Sequence, residues 1–180
     1  MRKAQLDFKR NRTTQMNFIS KEEYDENTLG HDYWKGRWSY ISEVSKIAQQ
    51  LNPQNCWEIG GGNCPISKGS FKTDIVKWGK VNMFLNFKNK VPFLDKSFDL
   101  TIALQVWEHL EGVQDFAFSE LRRVSKNTIL SFPFMWDCPN DLIHNKIGYE
   151  KISDWTNHEK PKMTQMIHHK DQPDRIIYVF

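Results

Sequence analysis

Apolar residues recur three and four apart over 37–51, at Trp38, Ile41, Val44, Ala48 and Leu51, which is the period of an amphipathic helix. Asn52-Pro53 stops that helix, because proline disfavours helical backbone in the residue before it. A second stretch, 113–124, carries Val113, Phe116, Ala117, Leu121 and Val124 on one face and predicts another helix. Short apolar runs bounded by Gly, Pro, Asn and Asp predict strands over 55–59, 70–73, 81–85, 98–104 and 127–132. A loop and a weak helix over 148–155 follow. Two further strand-like runs, 163–168 and 175–180, flank a polar stretch containing Pro173 and read as a terminal hairpin. Residues 65–68 leave room for barely one helical turn before Gly69. Residues 1–30 are polar without sustained periodicity and are expected to form an arm or a short leading helix.

Strand–helix alternation closed by a hairpin argues for an α/β fold, a mostly parallel sheet with an antiparallel edge. The connections between the first and third strands are short, so the helices there are expected to be trimmed. With 180 residues, 39% of them hydrophobic and 13% aromatic, the chain is expected to fold as one domain over 31–180 preceded by an N-terminal arm over 1–30. The net charge of +3 demands no nucleic-acid partner. Arg2, Lys3, Lys9, Arg10 and Arg12 stand against Asp7 alone at the N-terminus, which suits either a docking arm for phosphate or an acidic surface, or a merely solvated end. No apolar run is long enough to span a bilayer, and no signal-peptide core is present. Cys56, Cys64 and Cys138 are odd in number and scattered, which fits a reducing compartment, so a cytoplasmic location is expected.

The chemistry centres on Glu58-Ile59-Gly60-Gly61-Gly62, a buried strand running into three glycines. Four readings compete there. A phosphate-cradling P-loop needs a Gly-Lys-Ser/Thr ending, and Lys68-Gly69-Ser70 has the wrong order. A dinucleotide fingerprint wants a third glycine where Pro65 stands. The turn could bind nothing. The fourth reading is a nucleoside ligand without a pyrophosphate, with Asp74 at the end of the second strand accepting from both ribose hydroxyls. Asp74 could also cap the residues after it.

With those residues in view, the chain resembles the class I S-adenosylmethionine-dependent methyltransferases of the type 11 methyltransferase-domain kind. Three matches carry the resemblance: Glu58 to Gly62; Val91-Pro92-Phe93-Leu94-Asp95-Lys96-Ser97-Phe98-Asp99; and Gln105-Val106-Trp107-Glu108-His109-Leu110. The resemblance implies a Rossmann-like, seven-stranded sheet and S-adenosylmethionine as cofactor. It implies that Gly60, Gly61 and Gly62 line the methionine moiety and that Glu58 orients its ammonium group or braces the turn. Asp74 would hold ribose, Leu85 and Asn86 would lie beside adenine, and Gln105 would touch the methionine end. Arg37, just after the aromatic segment that begins at Tyr33, could pair with the methionine carboxylate. Cys64 departs from the family's usual third glycine.

Methyl transfer is an in-line displacement, so catalysis can be mainly alignment, and an oxygen acceptor also needs a base. His109 and His144 are the expected catalytic residues, with Asp141 a further candidate. Some ubiquinone-pathway relatives bind a divalent metal through Glu-x-x-Glu-His. Here Gln105 stands in for one carboxylate, so no metal is expected. The expected activity is methylation, at oxygen, of a small-molecule or glycan-type acceptor. An RNA or protein methyltransferase and a non-catalytic S-adenosylmethionine-binding module are the alternatives.

Overall fold

A computed structural model describes residues 16–29, 31–62, 65–76, 81–170 and 172–180. Seven strands form one sheet: β1 (Cys56–Ile59), β2 (Phe71–Asp74), β3 (Met83–Phe84), β4 (Phe98–Leu104), β5 (Ser125–Pro133), β6 (Met163–Ile167) and β7 (Arg175–Val179). Their order is β3-β2-β1-β4-β5-β7-β6. The first five are parallel, and β7 runs antiparallel to both β5 and β6. The expected α/β sheet with its antiparallel hairpin is therefore present, and the run over 98–104 is found to the residue. Strand order reverses between β1 and β4, and open α/β sheets bind ligands beyond the carboxyl ends of strands at such a switch point.

Five helices accompany the sheet among the described residues: α1 (Lys21–Thr28), α2 (Asp32–Lys35), α3 (Trp38–Leu51), α4 (Gln114–Val124) and α5 (Tyr149–Trp155). The apolar face of α3 joins one core with Cys56, Leu100, Ile102, Ile129, Ile177 and Val179, while α4 and α5 join another with Trp57, Leu130, Ile176 and Tyr178. Strand β7 shows why two cores arise. Its side chains alternate between them, as the two-residue period of a strand buried on both faces requires.

Residues 16–29, read from the sequence as part of an arm or a short leading helix, contain helix α1 and join the core beside α3. Met16, Phe18, Ile19 and Tyr24 are buried, and Phe18 bridges Ser67. Helix α1 starts in a capping box, in which Ser20 accepts from the Glu23 amide and Glu23 accepts from the Ser20 amide. Tyr24 donates its hydroxyl to the Trp34 carbonyl at 2.7 Å. The basic residues Arg2 to Arg12 and Cys64 lie outside the described residues. Among the described residues, no helix is long and apolar enough to cross a membrane.

The single helical turn considered for 65–68 does not form. None of the described residues between β1 and β2, or between β2 and β3, is helical. Trp57 takes up part of the space beneath this trimmed side. It is fully buried against Phe87, Phe93 and Phe98, with ring centroids 6.1, 5.1 and 5.5 Å away, and its indole N–H donates to the Thr73 hydroxyl at 2.8 Å. Each aromatic pair adds roughly 0.5–1.5 kcal/mol beyond its area burial.

The segment Val91 to Asp99 proves to be a structural clamp. Arg123 donates to the carbonyls of Val91 and Phe93 and to the carboxylates of Asp95 and Glu120, and Glu120 accepts in turn from the Val91 amide at 2.9 Å. Burial alone would raise the Glu120 pKa, but the bonds from Arg123 and the Val91 amide outweigh it and hold the group below the usual carboxylate range. The folded state thus binds this proton less tightly than the unfolded one. The stabilisation is complete above the unfolded value, about 4.3, and disappears as pH falls through the lower folded value. Glu120→Gln is expected to flatten the acid limb of a melting-temperature curve, below about pH 5. An acid limb identical to that of the parent protein would remove Glu120 from this role.

Candidate active site

The first functional element is the turn that leaves β1. Gly60 has φ +66°, and a Cβ there would stand 2.4 Å from Val106 Cγ2. Only glycine supplies that backbone without a clash. Gly61 serves a different need: a Cβ on it would lie 3.2 Å from Glu58 Oε1. The Gly60 amide donates to the Thr73 carbonyl at 2.9 Å, tying the turn to the end of β2.

Glu58 is only 3% exposed, and its carboxylate accepts from the Ile66 amide at 2.7 Å, the Ser67 amide at 3.2 Å, the Ser67 hydroxyl at 2.8 Å and the Ser70 hydroxyl at 3.3 Å. Burial raises its pKa, and the donors on Ile66 and Ser67, with the charge of Lys72, oppose that rise. Of its two expected roles, the geometry here is that of a brace: the carboxylate holds the loop that replaces a helix after β1.

Beyond the carboxyl ends of β1, β2 and β4 lies a cavity of about 500 Å³, within the range of small-molecule sites. It is lined by Trp34, Ile59, Gly60, Gly62, Thr73, Asp74, Ile75, Val76, Leu85, Asn86, Phe87, Gln105, Val106, His109 and Leu110. Seven expected site residues therefore share one wall or another: Gly60, Gly62, Asp74, Leu85, Asn86, Gln105 and His109. Asp74 is the last residue of β2, and its Oδ1 accepts from the Val76 amide at 3.2 Å. It both turns the chain after the strand and faces the cavity. Asn86 Oδ1 accepts from the Lys88 amide at 2.9 Å, which leaves one lone pair of that oxygen for a ligand. Gln105 adopts φ +55°, a sparsely populated conformation for a non-glycine residue, and its amide nitrogen donates to Ser131 Oγ at 3.1 Å.

Four expected residues do not line the cavity. Glu58 and Gly61 face each other beneath the turn. Arg37 lies over the Trp34 ring, 4.9 Å from its centroid, and Trp34 in turn lines the cavity. His144 packs edge-on to His109, with ring centroids 4.9 Å apart. Sequence reasoning placed Trp34 in a segment over the ligand but missed Thr73, Ile75, Val76 and Phe87 as wall residues. Trp34 had a signal in its aromatic segment, whereas Thr73 and Phe87 are ordinary core types until the sheet is assembled.

His109, which lines the cavity, belongs to a group of titratable side chains. His144 Nδ1 is 2.6 Å from Asp141 Oδ2, a pairing that holds the Asp141 carboxyl below its usual range. Partial burial, and then the neighbouring His144, push the His109 pKa down. Glu108 sits on the 3-10 turn Trp107–His109, 3% exposed, and burial pushes its pKa up to about 7 against the opposing pull of its own backbone amide and then of the Arg175 and Arg37 charges.

No family model and no curated protein matches the chain. Solved structures do. One is an S-adenosylmethionine-dependent methyltransferase from Thermotoga maritima, described as a possible histamine N-methyltransferase: 14% identity, TM-score 0.56, covering 86% of this chain and 96% of that one. Another is the N-methyltransferase NodS from Bradyrhizobium japonicum: 13% identity, TM-score 0.54, covering 87% and 97%. A third is the carbon methyltransferase CurJ: 12% identity, TM-score 0.55, covering 86% and 57%. The fold is that of the class I S-adenosylmethionine-dependent methyltransferases. Its relatives by structure differ in the atom they methylate, so the fold by itself does not select an acceptor.

Proposed function

We propose that this chain binds S-adenosylmethionine in the cavity beyond β1, β2 and β4 and transfers the methyl group to a hydroxyl of a small-molecule or glycan-type acceptor. The observation that carries this reading is the meeting of Gly60 and Gly62 with Asp74 in one cavity of nucleoside size. The missing Cβ at Gly60 makes room for Val106, while Gly62, where a Cβ would meet nothing within 4 Å, leaves backbone open to a ligand, and the Asp74 carboxylate offers acceptors to a ribose diol. Leu85, Phe87 and Leu110 supply apolar surface for a purine, with Asn86 at its polar edge. Gln105 and the glycine turn mark the opposite, amino-acid end.

When bound, the cofactor would supply a methyl group on a sulfonium, a leaving group that departs as a neutral thioether. The chain's own task is then to align the acceptor oxygen and to receive its proton. His109 lines the cavity and is held in a less basic state, which keeps the imidazole neutral and able to accept a proton at neutral pH. His144, fixed by Asp141, stands next to it as the second candidate base.

Titration calorimetry with S-adenosylmethionine and with S-adenosylhomocysteine tests the reading. One site per chain is expected for each. Absence of heat and of thermal stabilisation with both ligands would overturn it.

A further inference from the structure

Glu108 is the one member of the cluster Glu108, His109 and His144 to which the proposed methyl transfer gives no role, and the three together have the donors of a first-row transition-metal site. Glu108 and His109 lie on the turn after β4, and His144 lies on the loop after β5. Among the described residues, one donor atom from each of these three side chains lies within 4.8 Å of the others. We propose that Glu108, His109 and His144 bind a divalent first-row transition ion at the mouth of the cavity, with Asp141 orienting His144 from outside the coordination shell.

Three observations support this beyond proximity. First, Glu108 is 3% exposed, yet neither of its carboxylate oxygens makes a hydrogen bond of good geometry. Buried carboxylates are ordinarily paired, hydrogen-bonded or bound to metal, and here its own backbone amide, followed by the charges of Arg175 and Arg37, supplies the electrostatic support. Second, the Asp141 carboxylate engages Nδ1 of His144. That selects the tautomer with Nδ1 protonated and leaves the Nε2 lone pair available, the usual support for a metal-bound histidine. Third, His109 lines the cavity, so an ion on this group would face the space where an acceptor must sit.

The donor set narrows the ion. Two imidazoles and one carboxylate suit Mn²⁺, Fe²⁺, Co²⁺ or Zn²⁺ better than Mg²⁺ or Ca²⁺, which favour all-oxygen shells. Bonds of roughly 2.0–2.2 Å require the donors to close to about 3–3.5 Å. Rotation of the accessible His109 and of His144 on its loop covers that difference. The sequence-level expectation of no metal weighed Gln105 against a carboxylate. Gln105 is in fact engaged with Ser131, and His144, from a separate loop, supplies the third donor.

Three protein donors leave coordination positions open. In the proposed methyl transfer, on which this catalytic consequence alone rests, an acceptor hydroxyl would bind there and lose its proton to solvent more readily. The oxygen would then attack the methyl carbon as the carbon–sulfur bond breaks. The imidazoles would hold the ion that acidifies the hydroxyl instead of taking the proton themselves. Nearby Arg37 and Arg175 make the site less favourable for a cation than a purely acidic one would be, so micromolar affinity is expected rather than nanomolar.

The experiment uses untagged, chelator-treated full chain titrated with Co²⁺ and followed by its visible absorption, with Zn²⁺ as competitor. One equivalent should bind saturably and be displaced by Zn²⁺. Glu108→Gln and His144→Ala should each weaken Co²⁺ binding at least tenfold, while substitution of the exposed His158 should not. Thermal melts establish that each variant is folded, and the near-isosteric Glu108→Gln guards against loss of structure. No saturable spectrum, or parental affinity in both variants, would overturn the proposal. Co²⁺ binding in a protein that fails to bind S-adenosylhomocysteine would uphold the metal site and remove the methyltransferase reading. Binding of S-adenosylhomocysteine without Co²⁺ binding would do the reverse.

Discussion

Replacing Asp74 with alanine is expected to weaken S-adenosylhomocysteine binding by about 10- to 100-fold while leaving the melting temperature nearly unchanged. A carboxylate at this strand end can accept both hydroxyls of a ribose diol. Loss of one or two charge-assisted hydrogen bonds costs about 1.5–3 kcal/mol. The fold loses little, because among the described residues the Asp74 side chain holds the Val76 amide alone, at 3.2 Å and near the surface. Isothermal titration of parent and variant, with melts of both, separates the two effects. Unchanged affinity would take Asp74 out of the site; a collapsed melting temperature would make it a structural residue.

Glu58→Ala should show the opposite pattern, with a large loss of stability and a secondary loss of binding. The substitution strands the buried amides of Ile66 and Ser67 and removes the carboxylate from the Ser67 hydroxyl, while the Ser70 hydroxyl keeps the Ser67 carbonyl at 3.0 Å. Each unsatisfied buried donor costs roughly 1–3 kcal/mol. Relief of the buried charge and entry of water offset part of this, leaving a net loss of about 3 kcal/mol. For a chain of this size that is a fall of roughly 6–12 °C in melting temperature. Binding should weaken because the glycine turn rests on the same carboxylate. If Glu58→Ala instead melts like the parent and loses only affinity, Glu58 touches the ligand directly and the bracing role is wrong.

These two acidic residues illustrate how much was legible in the chain. Both were visible from their places at the ends of predicted strands, and the strands themselves carried strong signals: the run over 98–104 is rich in apolar residues, and that stretch is β4. The weak points were local signals overridden or overlooked. Ser20 to Glu23 is a capping box written in the sequence, yet the surrounding polarity left an arm and a short leading helix equally open; burial of Tyr24 and Phe18 comes from tertiary contacts. Likewise, Val91 to Asp99 looked like a family signature, and its physical content, the grip of Arg123 on the loop, needed α4 to be docked.

The sequence by itself determined the element order, the parallel sheet with its antiparallel hairpin, and the turn at Gly60, because periodicity, proline stops and glycine backbone freedom are local properties. Tertiary structure alone decided that Glu58 faces Ile66 and Ser67, that Gly60 sits against Val106, and that Glu108 and His109 meet His144. Those pairings join residues from different strand ends. Their spacing along the chain is arbitrary, and only the packing of the sheet brings the strand ends together. That is why the glycine turn could be recognised from the sequence, while the grouping of histidines and buried carboxylate beside it could not.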